Sequence, residues 1–182
     1  MTAVAGVVDH GKVYIGADSA ATDWTLRQTI KAEAKVFHNG PVLLGVCGSI
    51  RMSNLLMHTL CVPGHDKDTR GDHEWMCTAF IDSVRITLEN GGCLFKKNGV
   101  ESIPGAFLAG YRGHLYVVEE DLQVHSARDE YNAVGCGGDH AIGSLFSTKT
   151  RKPRERVKLA LDAACHHSGG CRPPYVIEVL DD

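Results

Sequence analysis

The chain's hydrophobic residues fall mostly into short β-branched runs separated by Gly-, Asn- and Asp-bearing turns, with a few stretches at helical period between them. Runs at 3–8 and 13–17 flank Asp9-His10-Gly11-Lys12, a tetrapeptide suited to closing a hairpin. A second hairpin is predicted between 34–38 and 42–46 across Asn39-Gly40-Pro41, after a polar stretch over 19–32. Residues 50–60 carry apolar side chains at 52, 55, 56 and 60 and read as a helix, with Ser49 as its cap. A loop over 61–71 leads to a longer helix, capped by Asp72 and running to about residue 88. Its Met76, Phe80, Val84 and Leu88 recur every fourth position, and Asn90-Gly91-Gly92 ends it.

Strand-like runs return at 93–96, 106–111, 115–119 and 122–125. Helices follow at 139–146 and 154–167, the latter introduced by Pro153, and a strand at 175–180 closes the chain. An antiparallel strand must bury its faces against something. Strands in two groups, each followed by a helix pair, predict a four-layer α-β-β-α sandwich of two antiparallel sheets in an α+β fold.

Composition narrows the function. A length of 182 residues suits one domain, taken as 1–182. The net charge of -3 offers no footprint for nucleic acid, and the longest strongly apolar run, 42–47, is too short for a membrane span. Seven cysteines at scattered positions make neither a disulfide framework nor a zinc ribbon, so a reduced, cytoplasmic chain is expected, consistent with a start that lacks an export signal. Cys165-His166-His167 with Cys171, and His65 and His73 with Cys77, match zinc spacing only loosely, and no metal is expected. Gly135-Cys136-Gly137-Gly138 has His140 where a dinucleotide fingerprint needs glycine, and no Walker lysine follows, so no cofactor is expected. The basic run at 148–154 reads as an exposed connection.

The amino terminus carries the candidate chemistry. Thr2 is small enough to permit enzymatic removal of Met1, which would make it the first residue. A threonine hydroxyl is a weak nucleophile until a base takes its proton, and the residue's own α-amino group is the nearest candidate. That amine titrates near 7.7–8.0 in its reference state. A neighbouring lysine cation favours its free-base form. Lys35 is the candidate cation, Asp18 the carboxylate that keeps Lys35 charged and oriented, and Gly48 a backbone donor for a developing oxyanion.

Thr2, Gly16-Ala17-Asp18-Ser19, Lys35-Val36, Gly45-Val46-Cys47-Gly48 and Gly135-Cys136-Gly137-Gly138 with Ala141, Gly143 and Leu145 follow one another at characteristic spacing. In this the whole chain resembles the proteasome β-type family of N-terminal nucleophile (Ntn) hydrolases, most closely its bacterial HslV-type peptidases by length. The resemblance implies the same roles for Thr2, Asp18, Lys35 and Gly48. It further implies a threonine endopeptidase acting on unfolded proteins or peptides, homo-oligomeric stacked rings, and an AAA+ unfoldase partner. Two departures stand out: Cys136 occupies the place of a serine that helps position the amine, and Ser168-Gly169-Gly170-Cys171 replaces a loop that commonly carries an aspartate and a serine. Two alternatives keep the fold: an amidase or acylase for small substrates, and a ring-forming shell protein with impaired catalysis.

Overall fold

The computed structural model describes residues 1–23, 25, 27–65 and 69–181. Strands β1 (Ala3–Asp9) and β2 (Lys12–Asp18) form the first hairpin, with Val4 opposite Ala17 and Asp9 opposite Lys12. Its turn places His10 and Gly11 at φ 50° and 78°, the twist that matches the flanking strands. Strands β3 (Ala20–Thr22) and β4 (Gln28–Ile30) form a short ribbon inside the segment expected to be merely polar, of which Trp24 and Leu26 lie outside the described residues. Strand β5 (Val36–Asn39) pairs with β6 (Val42–Gly48), and Ser49 caps α1 (Ile50–His58) through the Met52 amide. The expected loop at 61–71 contains no helix or strand among its described residues; residues 66–68 lie outside them.

The second helix differs from expectation at its start. Gly71 is the N-cap, and Asp72 lies inside the first turn of α2 (Asp72–Trp75), where its carboxylate meets Arg112 at 3.3 Å instead of capping. The run continues through a π-helical turn (Met76–Phe80) into α3 (Ile81–Asn90). A stripe at strict four-residue spacing drifts by about 40° per step on a 3.6-residue helix. The wider π turn takes up that drift. Met76, Phe80, Val84 and Leu88 are accordingly all fully buried.

A ribbon of β7 (Phe95–Lys97) and β8 (Val100–Ser102) precedes β9 (Gly105–Tyr111), β10 (His114–Val118) and β11 (Val124–Ser126). Strand β12 (Tyr131–Gly135), absent from the sequence reading, follows. Its five residues include a polar Asn132, and their alternation is too short to register: Ala133 packs toward helices and Val134 toward the opposite sheet. Helices α4 (Gly138–Ser147) and α5 (Pro153–His167) and strand β13 (Tyr175–Leu180) complete the chain.

One sheet has the order β12-β1-β2-β13 and the other β11-β10-β9-β6-β5, all neighbours antiparallel. Three cores separate four layers. Ala3, Ala5 and Val7 pack with Val157, Leu161 and Leu145 beneath α4 and α5. Val4, Ile15, Leu43 and Leu108 fill the space between the sheets, and Leu44, Val46, Phe107, Leu56 and Val84 join the second sheet to α1 and α3. Strands buried on both faces have no reason to alternate with polar residues, which explains the unbroken runs 3–8 and 42–47. The architecture is thus the α-β-β-α sandwich, with two small ribbons added.

Candidate active site

Antiparallel pairing gathers the amino terminus and four strand ends at one place. Because Val4 faces Ala17 across the first hairpin, the start of β1 lies beside the end of β2, where Asp18 stands. On its other side Ala3 faces Gly135, bringing Cys136 next to Thr2. From the second sheet, the carbonyl of Lys35, just before β5, accepts the Val46 amide at 2.9 Å. Gly48 ends β6 within the same wall. Gly45 lets the sheets meet here, since a Cβ on it would lie 2.6 Å from methyl groups of both Val4 and Ile15.

The five residues singled out in the sequence therefore come together. Lys35 Nζ donates to Thr2 Oγ1 at 3.0 Å and to Asp18 Oδ1 at 2.7 Å. Asp18 Oδ1 also accepts the Ala3 amide, and Oδ2 accepts those of Ala20 and Arg172, each at 3.0 Å. Four donors thus match the acceptor capacity of one carboxylate, which makes its complete burial tolerable. Asp18, Thr2 and Lys35 are 1%, 5% and 7% exposed, so the ion pair acts where water screens it little.

Gly48 has φ 104°, and a Cβ would strike the Pro104 carbonyl; no other residue fits that bend. Together with Thr2 it lines two cavities. The larger, about 680 Å³, is an open groove walled by Gly105, Glu119, Glu120, Asp121 and Asp139. The smaller, about 70 Å³, lies between Lys35, Ala21, Thr22, Val46 and Ser53.

Cys136 Sγ accepts the Thr2 amide at 3.3 Å and donates to the Thr2 carbonyl at 3.4 Å, the carbonyl that also receives the Gly137 amide. Thr2 Oγ1 donates to the Met1 carbonyl at 2.6 Å while Met1 is attached. Ser168, in the divergent loop, has its Oγ 3.3 Å from Cys136 Sγ. Cys171, which ends the same loop and in the sequence also reads as a loose metal ligand, has its Sγ 3.6 Å from that of Cys136. The backbone donors from Ala3, Ala20 and Arg172 were not foreseen, because amides carry no side-chain signature. Cys47 also borders the groove, but burial pushes its thiol pKa up and it donates to the Ala106 carbonyl at 3.2 Å, which keeps it in the less reactive thiol form. Among the described residues, no three His, Cys, Asp or Glu side chains converge to hold a metal.

No protein-family model matches this sequence, and no curated protein matches it. Solved structures do match. The chain superimposes on BPH of Thiobacillus denitrificans with a TM-score of 0.79 at 18% identity, over 98% of this chain and 97% of that one. The same protein in complex with epoxomicin gives 0.80 at 16% identity over the same shares. Eukaryotic HslV from Trypanosoma brucei gives 0.71 at 15% identity, covering 100% of both chains. The fold implied by the resemblance to proteasome β-type and HslV-type proteins is the fold shared with these structures.

Proposed function

We propose that the chain is a threonine peptidase whose nucleophile is Thr2 once Met1 has been removed. The observation that carries this reading is the buried chain of contacts Thr2 Oγ1–Lys35 Nζ–Asp18 Oδ1, whose Thr2 end lines an open groove. Removal of Met1 takes away the carbonyl that the hydroxyl now engages and turns the Thr2 amide into an amine. That amine is the base that accepts the hydroxyl proton as Oγ1 attacks a peptide carbonyl. The Lys35 cation disfavours the ammonium form of the amine and stabilises the developing alkoxide. Asp18, held by three backbone amides, fixes Lys35 in place. The Gly48 amide is assigned to the oxyanion, a donor worth about 3 kcal/mol in such sites. Collapse of the tetrahedral intermediate expels the amine product, protonated by the Thr2 ammonium, and leaves an acyl ester on Oγ1. Water activated by the same amine then hydrolyses it.

The open groove suits an extended peptide better than a small amide enclosed on all sides, which favours endopeptidase over acylase activity. The structural likeness to BPH, which is described in complex with epoxomicin, points to a direct probe. A peptide epoxyketone, which can engage a neighbouring hydroxyl and amine together, is expected to label Thr2 of a protein whose intact mass is lower by one methionine residue. Peptide mapping reads the site; a retained Met1, or labelling that survives Thr2→Ala, overturns the assignment. Stacked homo-oligomeric rings and an AAA+ unfoldase that feeds them belong to the same proposal through the resemblance to HslV-type proteins. Sedimentation is expected to show a particle of many subunits, and a monomer or dimer would contradict a chambered protease.

A further inference from the structure

We propose that Cys136 and Cys171 form a reversible disulfide that couples the oxidation state of the surroundings to the Thr2 nucleophile. The sulfur atoms lie 3.6 Å apart, so a bond of about 2.05 Å needs a closure of only about 1.5 Å. Both thiols are free, as are the other five cysteines. They differ in access. Cys136 is exposed at the groove, whereas Cys171 is buried and has its thiol pKa pushed up by its interaction with Cys165 and by burial. A hydroperoxide therefore meets Cys136 first.

The chemistry balances in two steps. The Cys136 thiolate attacks the hydroperoxide, the O–O bond breaks, and sulfenic acid and an alcohol (water, from hydrogen peroxide) result. The Cys171 sulfur then displaces the sulfenic hydroxyl, its own proton leaving with that hydroxyl as water, and the S–S bond forms. Two thiols have lost two electrons to one hydroperoxide. Ser168 Oγ, within 3.3 Å of Cys136 Sγ and 3.7 Å of Cys171 Sγ, is placed to relay that proton.

The consequence for Thr2, which rests on the peptidase reading, follows from what Cys136 Sγ does there. As a thiol it accepts from Thr2 N and donates to Thr2 O. A disulfide sulfur has no proton to donate, and closure toward Cys171 shifts the acceptor that faces the amine. A serine at position 136 could play the positioning part but could not be switched in this way, so the substitution that departs from the family pattern becomes the sensing element.

The test treats the purified full chain with hydrogen peroxide, blocks remaining thiols with N-ethylmaleimide and maps the digest. The expected result is a cross-linked peptide joining Cys136 to Cys171 and reversed by dithiothreitol. In parallel, the rate of Thr2 labelling by the epoxyketone is expected to fall about tenfold, the equivalent of a lost hydrogen bond, and to recover on reduction. In Cys171→Ser the cross-link is absent and the ratio of oxidised to reduced labelling rates returns toward one when peroxide is applied at the lowest dose that cross-links the wild type. A Cys165–Cys171 link, irreversible sulfinic acid at Cys136, or a cross-link without change in labelling overturns the proposal. Failure of the reduced protein to label at all counts instead against the peptidase reading, because the mapped cross-link is read without activity.

Discussion

Lys35→Ala is expected to lower Thr2 labelling and peptide hydrolysis at neutral pH by about 10²–10³-fold, the range for loss of one group that stabilises charge developing in the transition state. The size follows from geometry. Lys35 Nζ is the only described cation in hydrogen-bond contact with Thr2 Oγ1, at 3.0 Å, and at 7% exposure its charge is poorly screened. The pH profile distinguishes this role from a merely structural one. A nearby cation depresses the pKa of the amine, so its removal raises that pKa, and the free-base form is then reached only at higher pH. The rising limb of the residual activity should therefore move to higher pH in Lys35→Ala. A variant that loses activity with an unshifted profile would assign Lys35 to packing alone. Stability should suffer less than activity, because Asp18 keeps three backbone donors after the lysine has gone.

Asp18→Ala should do the reverse to the balance of effects. It strands a nearly buried ammonium and leaves the amides of Ala3, Ala20 and Arg172 without their acceptor. Breaking a buried ion pair from one side typically costs about 3–5 kcal/mol. A loss of that size is a large part of the stability of an ordinary domain. Chemical denaturation of Asp18→Ala should show it, together with loss of Thr2 labelling. The double variant Lys35→Met/Asp18→Leu removes both charges and should recover part of the stability but none of the activity. If Asp18→Ala unfolds at the wild-type denaturant midpoint, Asp18 does not hold this site together.

The two variants separate because the sequence and the fold place different demands on the same carboxylate. That Lys35 and Asp18 belong with Thr2 was legible from residue type, spacing and the family resemblance. That Asp18 also ties β1, the segment entering β3 and the loop before β13 into one knot was not. Those bonds come from backbone amides at 3, 20 and 172, which any sequence would supply. Cys171 was hidden for a related reason: 35 residues separate it from Cys136, and only the docking of α5 and its following loop brings the two sulfurs together. The positions of β12, the β3–β4 ribbon and β8 were obscured by segments of three to five residues, too brief for a period to declare itself, while the expected run at 93–96 overlaps β7 only at its end.

By itself the sequence determined the four-layer plan, both hairpins with their turns and the extent of the helices to within a few residues, and it singled out Thr2, Asp18, Lys35, Gly48 and Cys136, which the fold gathers at one place. These are local or pattern properties: runs buried on two faces, turn chemistry, an apolar stripe at helical spacing, and residue types suited to nucleophilic chemistry. Only the tertiary structure decided how those residues are joined. It set the 2.7 and 3.0 Å contacts of Lys35, the four-donor cradle of Asp18, the π turn that keeps Met76 to Leu88 on one face, and the thiol pair beside Thr2. The physical reason is that such contacts depend on strand register and layer packing, which chain neighbours do not encode and which arise when antiparallel strands bring distant ends side by side.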